Sequence, residues 1–228
     1  MKLLIASDIH GAARWCRSLM DEIEKESPDR VILLGDLLYH GPRNDLSEDY
    51  APKEVIAMLN GIKNQVIAVR GNCEAEVDQM VLEFPCMADY DVLWDPEAEN
   101  PITHTKGQEL FFTHGHVWGP GIHNSVDHLP NLPKGSALVY GHTHKKVNEP
   151  APGNPDILCF NPGSVGIPKD GTHSYGIYES GVFRHCLLEA EYRIATPRHV
   201  KLKSMGRKRA SPSGPYLNLR APTSKPPV

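Results

Sequence analysis

A chain of 228 residues with 40% hydrophobic content is long and apolar enough for one ordinary globular domain with a sizeable core. Its formal net charge of −4 supplies no global basic field, so nucleic acid is not the default partner. No apolar run approaches the roughly 18 residues of a membrane-spanning helix, which excludes that class.

The opening run 1–6 is shorter than the about 7–15 residues of a signal-peptide core, and Asp8 and His10 follow at once. The five cysteines are scattered and form no CxxC pair. A reducing, cytoplasmic setting is therefore expected.

Residues 2–7 predict a strand rich in Leu and Ile. Residues 12–25 predict a helix in which Trp15, Leu19 and Ile23 recur at helical spacing, a stripe for core packing. Pro28 ends that helix. Residues 30–34 form a second strand, buried on both faces, from which Gly35 turns and delivers Asp36. Residues 41–45 are loop by composition. Val55, Ile56 and Leu59 mark a second helix, from near Pro52 to Gly61. Residues 66–69 predict a third strand, and Arg70-Gly71-Asn72 turns out of it. This β-α-β-α-β order builds a parallel sheet.

After about Phe84 the pattern changes. Short strands are expected at 92–94, 102–106, 109–113, 137–140, 146–148, 157–161, 175–178 and 182–188. Lys106-Gly107, Pro152-Gly153-Asn154 and Ser180-Gly181 supply turns between them. Hairpins following an α/β half predict a second sheet packed on the first. The domain is expected to occupy residues 1–189.

Residues 190–228 form a basic, Pro/Ser-rich tail containing Lys201, Lys203, Arg207, Lys208 and Arg209, and disorder is expected there, with a short strand at 192–195 as one local option. Such a tail serves either as an electrostatic tether to nucleic acid or another acidic surface, or as a solvated appendage.

Five segments repeat one arrangement, an apolar run followed by ligand-type residues. They are Ser7-Asp8-Ile9-His10-Gly11, Gly35-Asp36, Gly71-Asn72-Cys73-Glu74, Thr113-His114-Gly115-His116 and Gly141-His142-Thr143-His144. Open α/β sheets place ligands at the carboxyl ends of their strands. Carboxylates, one amide oxygen and several imidazoles, with no paired thiols, suit divalent Mn²⁺, Fe²⁺, Ni²⁺ or Zn²⁺.

The order D-x-H, G-D, G-N-x-[ED], H-G-H, G-H-x-H resembles the calcineurin-like metallophosphoesterase superfamily. His40-Gly41-Pro42-Arg43-Asn44, residues 69–74 and Asn161-Pro162-Gly163-Ser164 resemble its small bacterial YfcE-like phosphodiesterase branch, a relative of the retromer scaffold subunit Vps29. The resemblance covers residues 2–188. It implies an α/β fold, a four-layer α/β-β/α sandwich of two mixed sheets flanked by helices, and assembly into dimers or tetramers. It also implies two divalent ions, Mn²⁺ first among the candidates. Asp8, His10, Asp36 and His144 would hold one ion, and Asp36, Asn72, His114 and His142 the other. Asp36 would bridge ions about 3.5–4 Å apart, and a hydroxide shared between them would attack a small phosphodiester. A non-catalytic Vps29-like scaffold and a nuclease or RNA-processing enzyme using the tail are the competing functions.

One position departs from the superfamily. Its usual Gly-Asn-His places an imidazole where this chain has Cys73, and a thiol with pKa near about 8.5 is a poor proton donor to a leaving group. Catalysis is therefore assigned to Asp36, Asn72, Cys73 and His116, with a preference for diesters whose leaving groups need little protonation. Arg43 and His116 are candidates for the substrate phosphate. The alternatives are a salt bridge or subunit contact for Arg43, and a hydrogen bond to a carboxylate for His116. Asn161 to Ser164 either line the cleft or form a plain turn, and His40 supports the site. His104, His123, His128, His173, His185 and His199 carry no motif and read as surface or structural.

Overall fold

The computed structural model describes residues 1–47, 49–121 and 125–189. The tail, its expected strand at 192–195, His123 and His199 lie outside the described residues.

Among the described residues three α-helices and twelve strands follow in the order β1 (Lys2–Ala6), α1 (Ala13–Glu26), β2 (Arg30–Leu33), α2 (Pro52–Gly61), β3 (Val66–Ala68), α3 (Glu76–Val81), β4 (Tyr90–Glu99), β5 (Lys106–Thr113), β6 (Gly119–Pro120), β7 (Asp127–His128), β8 (Ala137–Val139), β9 (Lys146–Ala151), β10 (Asn154–Pro162), β11 (Ser174–Glu179) and β12 (Val182–Leu187), with one 3-10 turn at Lys63–Gln65 before β3. One mixed sheet has the order β12-β11-β1-β2-β3 and a second has the order β4-β5-β8-β10-β9. The expected α/β pair of mixed sheets is what the chain forms.

The continuous apolar runs of β1 and β2 feed two cores at once, because successive side chains point to opposite faces. Leu4, Ala6, Val31 and Leu33 pack under the helices with Cys16, Leu19, Ile23, Val55 and Leu59. Leu3, Ile5 and Ile32 face the second sheet and meet Leu110, Phe112, Val139 and Phe160. A strand exposed on one face would have alternated polar residues here, and this one does not. Tyr178 reaches across the same core, donating its hydroxyl to the buried Asp95 carboxylate at 3.0 Å.

The outer face of the second sheet carries a third cluster, in which Phe111, Leu138, Tyr140 and Ile157 pack with Trp118, Leu129 and Leu132. Among the described residues that cover is loop and the short β6–β7 ladder, with no helix. Pro120, Pro130 and Pro133 punctuate the segment and withhold the N–H groups a helix would need.

Two local expectations change. Residues 102–106 do not form a strand; residues 100–105 make the turn of the β4–β5 hairpin. Asn100 organises this turn. Its Oδ1 accepts from the Ile102 and Thr103 N–H groups at 3.0 and 3.1 Å, and its Nδ2 donates to the Gly135 carbonyl at 2.9 Å. A side chain that offers the backbone local partners overrides the β propensity of Ile102 and Thr103. Conversely α3 has no sequence signal, since Val77, Met80 and Val81 stay exposed and mark no buried stripe. Its start is capped by Asp78, which accepts the Ala75 N–H at 2.7 Å.

Candidate metal centre

Each segment singled out in the sequence sits at the carboxyl end of a strand. Asp8 and His10 follow β1, Asp36 follows β2, Asn72 and Cys73 follow β3, His114 follows β5, and His142 and His144 follow β8. Strands β1, β2 and β3 run parallel, and so do β5 and β8, so the turns of each sheet open at one edge. Bonds between the turns bring the two edges together. The Gly166 N–H donates to the Asp8 carbonyl at 3.0 Å, and His114 Nδ1–H donates to the Leu34 carbonyl at 2.6 Å.

The backbone is strained where the candidate ligands sit. Asp8, His10, Asp36, His142 and His144 have φ values of 55°, 50°, 54°, 65° and 58°, in the left-handed region. Only three other described non-glycine residues (Ser27, His104 and Ser180) have positive φ. Such a conformation costs roughly 1–3 kcal/mol at each position and persists where the surroundings over-determine it, which is typical of ligand clamps.

At Asp36 that determination comes from Glu74. Its Oε2 accepts the Asp36 N–H at 2.8 Å and the Gly71 N–H at 2.5 Å, while Oε1 accepts the Leu37 N–H at 2.7 Å. The carboxylate thus pins the turn that presents Asp36. The sequence pattern contains Glu74 but gave it no role; three converging N–H groups are visible only in three dimensions.

Each predicted carboxylate has one oxygen occupied and one aimed into the centre. Asp8 Oδ2 accepts the Ser7 hydroxyl at 2.6 Å and the His142 N–H at 3.0 Å, while its buried Oδ1 has no hydrogen-bond partner. Asp36 Oδ1 accepts the Cys73 N–H at 2.8 Å, and its Oδ2 lies 3.6 Å from His10 Nε2 and 3.5 Å from His114 Nε2.

The imidazoles are oriented in the same way. His10 Nδ1 donates to the Tyr39 carbonyl at 2.7 Å and His144 Nδ1 to the Ile167 carbonyl at 2.5 Å. A carbonyl only accepts, so Nδ1 carries a hydrogen, and in the neutral imidazole that ligation requires Nε2 presents the lone pair. The Nε2 atoms of His10 and His144 nevertheless face each other at 3.3 Å. Two lone pairs at that distance repel unless a cation or an added proton lies between them.

The candidate ligand atoms form overlapping trios: Asp8, His10 and His144, then Asp8, Asp36 and His114, and also His10, Asp36 and Cys73. His144 Nε2 lies 3.2 Å and His10 Nε2 3.7 Å from Asp8 Oδ1, and Asp36 Oδ2 lies 3.6 Å from His10 Nε2. His114 Nε2 is 3.1 Å from Asn72 Oδ1, 3.3 Å from His142 Nδ1 and 3.5 Å from the same Asp36 oxygen. Donors about 2.1 Å from one ion lie about 3–3.4 Å apart in octahedral or tetrahedral geometry, and the separations of 3.1 to 3.7 Å here come within a few tenths of an ångström of that range. The orphaned Asp8 oxygen fits a divalent metal as well.

Charge is balanced accordingly. Burial raises the Asp36 carboxyl, but the His114 charge beside it prevails and holds it at about 2. Burial lowers His114, but the Asp36, Asp8 and Glu74 carboxylates outweigh it and carry the imidazole to about 9. Burial and the neighbouring His114 charge together push His142 down to about 4. Cys73 is raised by burial and then by Asp36, so its thiol stays neutral at physiological pH.

The cleft above these groups has a volume of about 160 Å³ and is walled by His10, Asp36, Asn72, Cys73, His142 and His144, with Arg43 and Lys169 at its rim. Arg43 is where the sequence expected a phosphate contact. Lys169 was not foreseen; it has no motif around it and reaches the rim because its N–H donates to the His144 carbonyl at 3.0 Å. His116 lies against His114, with ring centroids 5.3 Å apart and edge-to-face, and its buried Nδ1 has no partner. It is not among the residues walling the cleft. Burial and the His114 charge push its pKa down to about 4. His40 packs between the rings of Tyr39 and Tyr50 at 4.6 and 5.4 Å. Asn161 and Ser164 act from beneath. Asn161 Nδ2 donates to the Gly141 carbonyl at 2.8 Å and the Ser164 hydroxyl to the Asp8 carbonyl at 2.8 Å.

A sequence profile of the calcineurin-like phosphoesterase superfamily domain matches residues 1–181. The chain belongs to that superfamily. Its members are metal-dependent hydrolases, in keeping with the donor set just described. Within the superfamily the chain is 42% identical over 196 residues to phosphodiesterase YfcE of Escherichia coli K12, spanning 86% of this chain and 96% of that protein. A solved structure of YfcE, described as a phosphoesterase, matches with a TM-score of 0.71 at 39% identity, over 83% of this chain and 100% of that one. An archaeal phosphodiesterase, 22% identical over 82% of this chain and 100% of that one, shares the superfamily fold with a TM-score of 0.53.

Proposed function

We propose that this chain is a two-metal phosphodiesterase acting on small phosphodiesters. The observation that carries the reading is the position of one oxygen, Asp36 Oδ2, 3.6 Å from His10 Nε2 on one side and 3.5 Å from His114 Nε2 on the other. Asp8, His10, Asp36 and His144 would hold one ion, and Asp36, Asn72, His114 and His142 the other. A bound metal pair would supply activation of water near neutral pH and neutralisation of charge on the phosphoryl oxygens. Mn²⁺ is the first choice for an oxygen-and-imidazole set without thiolate, with Ni²⁺, Fe²⁺ and Zn²⁺ also compatible.

The protein's own groups divide the remaining work. Glu74 and the Cys73 N–H fix the Asp36 carboxylate in rotation, and three backbone carbonyls fix the imidazoles of His10, His114 and His144. Arg43 and Lys169 draw the substrate anion to the cleft and orient it. Asn72 adds an oxygen donor without adding charge. His116 braces the His114 ring. The assigned domain is residues 1–189, and residues 190–228 are an appendage outside the catalytic unit. Five free cysteines support a reducing compartment, and a homo-oligomer is retained from the family resemblance.

The neutral Cys73 thiol sets the expected selectivity. With no imidazolium at this position, a leaving group receives little help from a proton donor. The metal-loaded enzyme is expected to cleave bis(4-nitrophenyl) phosphate readily and unactivated alkyl monoesters at least about 100-fold less well, a difference in the range of one acid catalyst. Cys73→His is expected to raise the monoesterase rate, and Cys73→Ala to leave diesterase turnover unchanged. Comparable wild-type rates on activated diesters and alkyl monoesters would refute the assignment.

Metal binding is expected to release a proton. His114 must be neutral to act as a donor, and without metal it keeps its proton up to about pH 9. The affinity for Mn²⁺ should therefore rise about tenfold per pH unit between pH 7 and pH 8.5, and flatten above about pH 9. Calorimetry in buffers of different ionisation enthalpy counts the released protons. No release at pH 7 would remove His114 from the ligand set.

A further inference from the structure

A second depression adjoins the metal cleft and is chemically unlike it. Its volume is about 370 Å³, and it lies between α2, α3 and the loop after β2. Leu38, Tyr39, Tyr50, Ile56, Val77 and Val81 form its walls. Among the described residues no cation lines it, and the one carboxylate, Asp78, is buried and accepts the Ala75 N–H at 2.7 Å. Cys73 belongs to both depressions, so the apolar groove begins where the metal cleft ends.

We propose that this groove receives a flat aromatic substituent of the phosphodiester whose phosphorus sits in the metal cleft. The inference rests on the phosphodiesterase reading and narrows it to a substrate class. Continuity through Cys73 is the first argument, because one molecule can occupy both spaces. Rigid connection is the second. The Tyr39 carbonyl accepts from His10 Nδ1 at 2.7 Å, so the groove wall and a proposed metal ligand are held by one bond. The Tyr39 ring packs edge-on to His40, and His40 edge-on to Tyr50, which fixes both aromatic walls. The third argument is that the apolar surface is left open. Val77 is 59% exposed, Tyr39 43% and Val81 39%, and a ring seated among them would remove that surface from water. A charged or strongly polar ester group would find no partner there.

The cleavage step is not needed for the test. Calorimetry on the metal-loaded protein compares methylphosphonate, phenylphosphonate and 2-phenylethylphosphonate, whose P–C bonds are not hydrolysed. At least one aryl ligand is expected to bind about tenfold tighter than methylphosphonate, the scale of partly burying a ring. Val77→Asp and Val81→Asp change exposed side chains outside the metal centre. Each is expected to erase the aryl advantage while leaving methylphosphonate affinity unchanged. Equal binding of alkyl and aryl ligands by the wild type would overturn the proposal, as it would if the groove served a protein partner instead. An aryl advantage that survives both variants would also overturn it. Failure of every phosphonate to bind would defeat the phosphodiesterase reading, and this inference with it.

Discussion

Replacing Asp36 by asparagine is expected to lower diesterase turnover at least about 100-fold and to reduce bound metal from two ions to one or none. The change is nearly isosteric, so the turn should survive. The amide oxygen can still accept the Cys73 N–H that Asp36 Oδ1 accepts now at 2.8 Å. What is lost lies on the other side. The Oδ2 position, 3.6 Å from His10 Nε2 and 3.5 Å from His114 Nε2, would hold an NH₂ group and no negative charge. Under the proposed assignment both ions would lose a shared ligand in one step. Asn72 is proposed to serve one ion only, so Asn72→Ala should spare the first ion. Elemental analysis of the purified proteins beside a turnover assay separates these cases. Full activity with two ions in the Asp36→Asn variant would end the bridging assignment. The variant should also lower the His114 pKa from about 9 in the metal-free protein, since the Asp36 charge is the strongest influence raising it.

Gly71→Ala is expected to destabilise the fold by about 3 kcal/mol, lowering Tm by about 6–12 °C for a chain of this size. A methyl group at this position would lie 2.2 Å from Asp36 Oδ1, 2.5 Å from the Asp36 nitrogen and 2.6 Å from Glu74 Oε2. None of these atoms can retreat cheaply. Two are carboxylate oxygens holding the turn and the third is backbone. The displaced group is the one that presents Asp36, so metal affinity should fall together with stability. Thermal unfolding with and without Mn²⁺ reads both effects. A variant as stable as the parent, with unchanged metal affinity, would show that the turn has more room than its packing indicates. Glu74→Gln should act in the same direction and more weakly, because it keeps the shape while turning one acceptor into a donor among three N–H groups.

Gly71 also illustrates what the sequence could and could not carry. The glycine reads as a turn residue, which is its commonest use. Its actual function is close approach, a property of Asp36 and Glu74 folded against it, and no local pattern encodes that. That the candidate ligand segments meet was legible because each couples a buried strand, written as an apolar run, to a residue type with few bland uses in that order. Which oxygen of Asp8 or Asp36 faces the centre was not legible, since both depend on distant donors, the His142 N–H and the Cys73 N–H. Lys169 illustrates a related limit. It reaches the cleft through the His144 carbonyl, 25 residues away in sequence, and nothing near it announces a site. In the fold, the helices α1 and α2 and the parallel strands followed from periodicity. The turn at 100–105 did not, because one asparagine side chain supplied partners that propensity does not count.

The two sheets are hydrogen-bonded separately, yet neither holds all of the proposed metal donors. Asp8, His10, Asp36 and Asn72 are fixed to the first, and His114, His142 and His144 to the second. The layer of Leu3, Ile5, Phe112, Val139 and Phe160 between them is therefore a gauge block as well as a core. Its thickness sets how far apart the two halves of the centre stand. A methylene added or removed there can mistune the spacing of the donors by tenths of an ångström, long before it unfolds the protein. Selection on the reaction would then reach residues that no substrate ever meets.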